Sequence, residues 1–351
     1  MNRRKVLLGE AAKLDCSALI AFEPENVFYV TGFWGEAIAV VNEYDTKLIA
    51  PKLEVDRAMK DSKGCRVISS ERGGSMIEAL LANVEDERVC TDCNDIDTFD
   101  RIKRHIKVVY STVPFYQSRM VKDHQEIRNI TDSAKILDRL FVKCEQIIKA
   151  GITERQVQAE LLYEAMSRGA YPPSYKYTLS PLIVASGINS SLPHAEPTDR
   201  KIRASDFVTV DLTLRYKGYI ADATRTFVVG RVSSEMRKVY GIVREAQERG
   251  LDAVRSGIEC GAVDDACRSH IEKAGYGKHF VHSTGHGIGL QIHEPPWLRM
   301  KSKEKLQGNM AVTVEPGVYI PNRFGVRIED SLIVDKKARV LNKYPKEMIA
   351  L

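Results

Sequence analysis

Residues 207–227, FVTVDLTLRYKGYIADATRTF, place β-branched and aromatic residues on both sides of Tyr-Lys-Gly and so dictate a two-stranded hairpin. Each strand carries an aspartate among residues that otherwise suit a half-buried sheet. If Tyr216 and Lys217 form the tight turn, with Gly218 following where a positive φ is tolerated, Arg215 faces Gly218 and Asp211 lies directly across from Asp222. Opposed Cβ atoms in such a ladder are about 4.5–5.5 Å apart, where like charges destabilise the sheet. A protonated carboxyl, a bend in the strands or a cation between them would relieve the repulsion.

The arrangement recurs. In TVEPGVYIPNRFGVRIEDSLIV, residues 313–334, a loop centred near Asn322 puts Glu315 opposite Glu329. Protonating one acid of each pair leaves a site with no evident use, and bending wastes the coincidence, whereas divalent metal relieves both repulsions together. HSTGHGIGLQIHEPP, residues 282–296, adds His282, His286 and His293 around Gly285, Gly287 and Gly289, which let backbone pass close to a ligand. On a strand, positions 286 and 293 do not share a face, so a turn after Gln291 is required if all three histidines line one cavity.

At 351 residues, 44% of them hydrophobic, the chain fits two unequal domains. Its 52 basic and 47 acidic residues leave +5, spread without long runs of one sign, which argues against nucleic-acid binding. The start, MNRRKVLLGEAAK, has too short an apolar stretch for a signal peptide, and no segment approaches the ~18 apolar residues of a membrane span, so a cytoplasmic location is expected. Seven scattered cysteines fit a reducing compartment, and the lone Cys90-x-x-Cys93 lacks partners for a metal site.

Residues 1–121 alternate the β-rich runs SALIAF, AIAVVN, TKLIAP, CRVISS, ERVCTD and KVVYS with helical patterns, the mark of an α/β layer domain. From 122 to 351 the order is helix, helix, hairpin, helix, helix, hairpin. The first of these helices carries Ile127, Ile130, Ala134, Leu137, Phe141, Cys144 and Ile148 on one face, and Thr153 with Gln156 forms a capping box for the second. This order predicts an α+β unit with helices packed on a sheet and both hairpins contributing to one face.

Asp211, Asp222, His286, Glu315 and Glu329 resemble, in order and local motif, the five metal ligands of the pita-bread metallopeptidases, the family of methionine aminopeptidase, aminopeptidase P and prolidase. The resemblance covers the second domain, and the first is similar to the smaller creatinase-type domain that the proline-specific branch carries. His194 in LPHAEP matches the histidine the family keeps beside the substrate and His293 an active-site histidine shared more widely, while His282 and Arg327 resemble features of the aminopeptidase P and prolidase branch. The resemblance therefore implies hydrolysis of peptide bonds preceding proline, as an Xaa-Pro dipeptidase, by a hydroxide bridging two divalent ions about 3.5–4 Å apart. By the family pattern Asp222 and Glu329 bridge, Asp211 chelates one ion, and His286 with Glu315 completes the other. Glu315 would shuttle the proton, His293 stabilise the oxyanion, His194 orient the peptide, Arg327 hold a ligand carboxylate, and His282 form the proline side of the pocket, with Tyr319 and Trp297 contributing an apolar floor. The oxygen-rich donor set favours Mn²⁺ or Co²⁺, with Fe²⁺ or Zn²⁺ as alternatives. A homodimer is expected by analogy.

Two departures bear on substrate. Thr213 stands where many relatives have glycine, either adding an oxygen near a metal or satisfying the strand. Trp297 takes the place of an arginine that follows H-E-x-P in archaeal-type prolidases and can clamp a dipeptide's carboxylate, with Arg299 two residues further on. This leaves an Xaa-Pro aminopeptidase acting on longer peptides as the alternative. A non-catalytic peptide-binding pita-bread module or a creatinase-like enzyme is disfavoured by retention of all five ligand positions.

Overall fold

The computed structural model describes residues 3–86 and 88–351, and the chain divides between Arg119 and Met120 into two compact units. Glu87, the expected first residue of the ERVCTD strand, lies outside the described residues, as do Met1 and Asn2 of the N-terminal basic cluster.

The first unit runs α1 (Arg3–Ala12), β1 (Ala18–Ala21), α2 (Pro24–Thr31), β2 (Ile38–Val41), β3 (Thr46–Pro51), α3 (Val55–Asp61), β4 (Arg66–Ser70), α4 (Gly74–Leu81), β5 (Arg88–Thr91), α5 (Ile96–Lys103), β6 (Lys107–Tyr110) and α6 (Val113–Met120). All six β-rich runs form strands of one sheet, ordered β4-β3-β2-β1-β5-β6. Only β2 opposes its neighbours' direction. Strands β1, β2 and β3 are buried along their whole length, and β1 and β2 accordingly read as continuous apolar runs. Ile20, Val40, Ile49, Leu80, Val89 and Ile102 share the core.

The second unit opens with α7 (His124–Ile147) and α8 (Glu154–Ser167), each started by a capping box, Asp123 with Glu126 and Thr153 with Gln156. There follow β7 (Leu182–Ser186), β8 (Phe207–Tyr216), β9 (Tyr219–Val228), α9 (Ser234–Ala253), α10 (Cys260–Lys273), β10 (Gly285–Gly287), β11 (Glu294–Leu298), β12 (Ala311–Val314), β13 (Gly317–Ile320), β14 (Phe324–Arg327), β15 (Asp330–Ile333) and β16 (Arg339–Val340). Helices α9 and α10 bury Val239, Val243, Val263 and Cys267 against Val312, Val314, Val326 and Leu332.

The expected single sheet is instead three hydrogen-bonded ladders, β7-β8-β9, β11-β10-β12-β15-β16 and β13-β14. Strand β7, unmarked in the sequence reading, covers β8. Cross-links join the ladders: Glu329 N–H donates to Thr224 O at 3.1 Å, and the Ser331 hydroxyl donates to Asp222 O at 2.7 Å.

The first hairpin is displaced from the expected register. Tyr216 pairs with Tyr219, so the turn residues are Lys217 and Gly218, with φ of 49° and 84°. A two-residue hairpin loop of this kind takes positive φ at both central positions, a conformation a bulky aromatic resists, so Gly218 belongs inside the turn and Tyr216 outside it. Asp211 consequently faces Thr224, and Asp222 faces Thr213. Because the side-chain period is two, the two-residue displacement keeps both aspartates on one face, as diagonal neighbours. The second hairpin keeps the expected register: Val314 pairs with Asp330 and Gly317 with Arg327, leaving Glu315 and Glu329 opposed in the break between two ladders.

Candidate metal centre

Strand alternation turns Asp211 and Asp222 to the same side of β8-β9, and the break between β12-β15 and β13-β14 frees Glu315 and Glu329 from the ladder. Between them stands His286 on β10. Ligand-capable atoms of Asp222, His286 and Glu329 lie within 4.8 Å of one another, all buried. Glu315 Oε1 is 3.2 Å from His286 Nε2, and His286 Nδ1 donates to Gly287 O at 3.1 Å, so in the neutral ring Nε2 is the nitrogen with the free lone pair.

Each carboxylate is held by a neighbour. The Thr213 hydroxyl donates to Asp222 Oδ1 at 2.9 Å, so it fixes a carboxylate, a role that neither of its two expected ones named. Thr224 donates to Glu329 Oε2 at 2.7 Å. Arg327 donates to Asp211 Oδ2 at 2.6 Å, to the Tyr319 hydroxyl at 2.6 Å and to Thr224 Oγ1 at 3.1 Å. Asp211 Oδ1 is buried with no hydrogen-bond partner, an arrangement that costs stability unless a cation meets it.

Charge crowding tells the same story. Burial, followed by the Asp211 and Glu315 carboxylates, pushes Asp222 well above the ordinary carboxylate range. Burial and then Asp222, Glu315 and Asp211 push Glu329 up likewise. Burial opposes charge on both His286 and Glu315, but their hydrogen bond and the surrounding charges together outweigh it, raising the imidazole to about 8 and lowering the carboxyl to about 2. Four acids and one imidazole so placed form an oxygen-rich donor set that divalent cations fit.

A cavity of about 480 Å³ contains all five of these residues together with His194, His282, His293 and Arg327. The residues between β10 and β11 turn back as the spacing requires, and the rings of His286 and His293 come to 4.3 Å. Burial lowers His293 to about 3, so its imidazole is neutral. His282 is engaged at both nitrogens. Tyr319, its phenol pushed to about 12 by burial, accepts from Arg327 and lies 2.9 Å from His282 Nε2, so its hydrogen goes to that nitrogen. His282 Nδ1 then donates to Ser283 O at 2.7 Å. Tyr319 is thus a buried strut behind the cavity and not the expected floor, whereas Trp297 lines it. Tyr175 and Tyr177, which the sequence reading missed, complete an aromatic wall; the signal was the aromatic-rich YPPSYKYTLSP following α8. Arg299, His105 and His124 are exposed and outside the cavity, and the half-buried His270 and His279 also lie outside it. Cys90 and Cys93 are buried free thiols.

The description "Metallopeptidase family M24" matches residues 128–336, and "Creatinase/Prolidase N-terminal domain" matches residues 3–121. The chain belongs to metallopeptidase family M24. Among curated relatives of this M24 enzyme, an uncharacterised peptidase of Bacillus subtilis, YqhT, is 36% identical over 100% of this chain and 99% of its own. Among solved structures, the Xaa-Pro dipeptidase from Bacillus anthracis superposes with a TM-score of 0.92 at 32% identity, covering 99% of both chains. The X-Pro aminopeptidase from Thermotoga maritima superposes with a TM-score of 0.88 at 30% identity, covering 97% of this chain and 99% of that one. The M24 chain is therefore a metallopeptidase with a creatinase-type first domain and a catalytic second domain. Among the described residues no helix is long and apolar enough to cross a membrane.

Proposed function

We propose that this M24 peptidase hydrolyses the bond preceding proline, acting as an Xaa-Pro dipeptidase, with the chemistry confined to residues 122–351. The observation that carries the reading is the buried Asp222, His286 and Glu329 cluster at the base of a cavity that also presents three further histidines. Similarity to the Bacillus anthracis Xaa-Pro dipeptidase supports the proline-specific branch.

Two divalent ions held by Asp211, Asp222, His286, Glu315 and Glu329 would supply Lewis acidity and an activated water. The chain's own residues do the rest. Thr213, Thr224 and Arg327 hold Asp222, Glu329 and Asp211 in fixed orientations. Glu315, kept ionised by His286, accepts the proton released as the scissile carbonyl is attacked. His293, neutral through burial, has an N–H to offer the developing oxyanion, and His194 orients the peptide. His282, both nitrogens engaged, presents ring carbon as an apolar wall for the proline, with Trp297 and Tyr175 nearby. Proline lacks an N–H, so a shape-selective apolar wall serves where a hydrogen-bonding one would have nothing to grip.

A second reading, aminopeptidase action on longer peptides, is favoured by one observation: Trp297 stands at the position where an arginine could hold a dipeptide's carboxylate. The metal-loaded enzyme assayed on Ala-Pro and Ala-Pro-Ala decides. Cleavage of Ala-Pro alone supports the dipeptidase, cleavage of Ala-Pro-Ala the aminopeptidase, and cleavage of neither contradicts both. We further propose that the enzyme works as a homodimer in a reducing compartment, in keeping with its seven free cysteines.

A further inference from the structure

Glu294 begins β11 immediately after His293, and successive residues of a strand point to opposite sides. His293 lines the cavity. Glu294 is turned into the protein interior, where its Oε1 lies 2.9 Å from Lys122 Nζ, the two side chains being 2% and 1% exposed. The pair sits beneath the turn that carries His293. A Cβ on Gly289 would come 2.5 Å from Glu294 Oε1 and 3.2 Å from Lys122 Cε, so the two side chains fill the space under that turn. The turn is tied down on its other sides by Ile288 N–H to Ala311 O at 3.0 Å and by Ile220 N–H, from the strand of Asp222, to Gly289 O at 2.7 Å.

Taking two charges out of water is expensive, and an apolar pair of matched volume is commonly as stable or more so. Stability therefore gives no reason for ions at this place. Geometry does, because a buried charged hydrogen bond fixes both distance and direction where packing alone tolerates sliding.

We propose that Lys122 and Glu294 are positioning residues for His293, setting the height of its imidazole over the carboxylate cluster. The proposal rests on the catalytic role assigned to His293 above. The test is the volume-matched double variant K122M/E294L, with E294Q as a milder variant should the double one fail to fold, each made alone and in combination with H293A. K122M/E294L is expected to unfold at no lower temperature than the parent and to take up the same metal, yet to lose about ten-fold or more in kcat with KM little changed. In the H293A background the same pair of changes is expected to alter kcat by less than about two-fold, since a residue acting through His293 has nothing left to position. In the metal-free protein, the imidazole ¹H–¹⁵N resonances that vanish in H293A should move in K122M/E294L. Parental kcat with unmoved resonances, or an undiminished loss in the H293A background, overturns the positioning role alone. Parental kcat in H293A itself overturns both that role and the one assigned to His293.

Discussion

Thr213 donates its hydroxyl to Asp222 Oδ1 at 2.9 Å from the position directly across the β8-β9 ladder. The register that separates the two aspartates is thus the register that gives one of them a fixed donor. Thr213→Val keeps shape and β-branching while deleting that donor. Metal affinity is expected to fall by about ten-fold or more. Calorimetric titration of the metal-free variant checks this, and an unchanged dissociation constant would show that Asp222 needs no such support.

Arg327 holds Asp211, Tyr319 and Thr224 with one guanidinium, and through Tyr319 it reaches His282. Lysine keeps the charge but cannot reproduce a planar fork with several fixed donors. Arg327→Lys should therefore lower kcat/KM by about ten-fold or more while the protein stays folded. Steady-state kinetics alongside circular dichroism measures it; parental kinetics would mean that charge alone suffices.

Much of this site was legible because hairpins and histidine spacing are local. The alternation around Asp211 and Asp222 fixed their face even though the turn was misplaced by Tyr216, and the Glu315–Glu329 register followed from a loop whose centre, Asn322, has φ of 59°. What could not be read joins residues far apart in the chain. The Lys122–Glu294 pair spans 172 positions, and Arg225 reaches Asp330 across 105. Glu154 looks like an exposed first-turn acid, yet it is fully buried, accepting from Ser186, Asn189 and Thr198. No periodicity distinguishes such a residue from a solvated one. Strand β7 escaped because the four apolar residues Leu182, Ile183, Val184 and Ala185 after a loop carry no alternation.

Behind Glu329, Arg225 and Asp330 form an ion pair of 2.7 Å with side chains 3% and 0% exposed. Arg225 also donates to the backbone oxygens of Glu329 and Thr224, so it braces the strand segments that carry the site. Arg225→Met leaves Asp330 with Gln247 and Lys346 only. Losing one partner of a buried pair costs about 3–5 kcal/mol, and these two remaining contacts place the expected loss near the lower end. Urea denaturation at neutral pH tests the value, and an unchanged midpoint would remove the brace from the account.

The β8-β9 turn offers a change in the opposite direction. Lys217 holds a φ of 49°, which asparagine tolerates better than lysine, and Gly218 already supplies the second positive φ. Lys217→Asn should raise stability by a few tenths to about 1 kcal/mol without altering activity. A lower denaturation midpoint would contradict the turn assignment that separates Asp211 from Asp222.

The proposed function has two divalent cations reconciling four acids, the buried Asp222 and Glu329 and the part-buried Asp211 and Glu315. Its most direct test strips the protein with chelator and titrates Mn²⁺ back while metal content and Ala-Pro hydrolysis are followed together. Activity should be absent in the stripped protein and rise to a plateau as two ions per chain bind, with Asp222→Asn failing to reach that stoichiometry. Full activity without metal, or saturating uptake that stops short of two ions per chain, would contradict it.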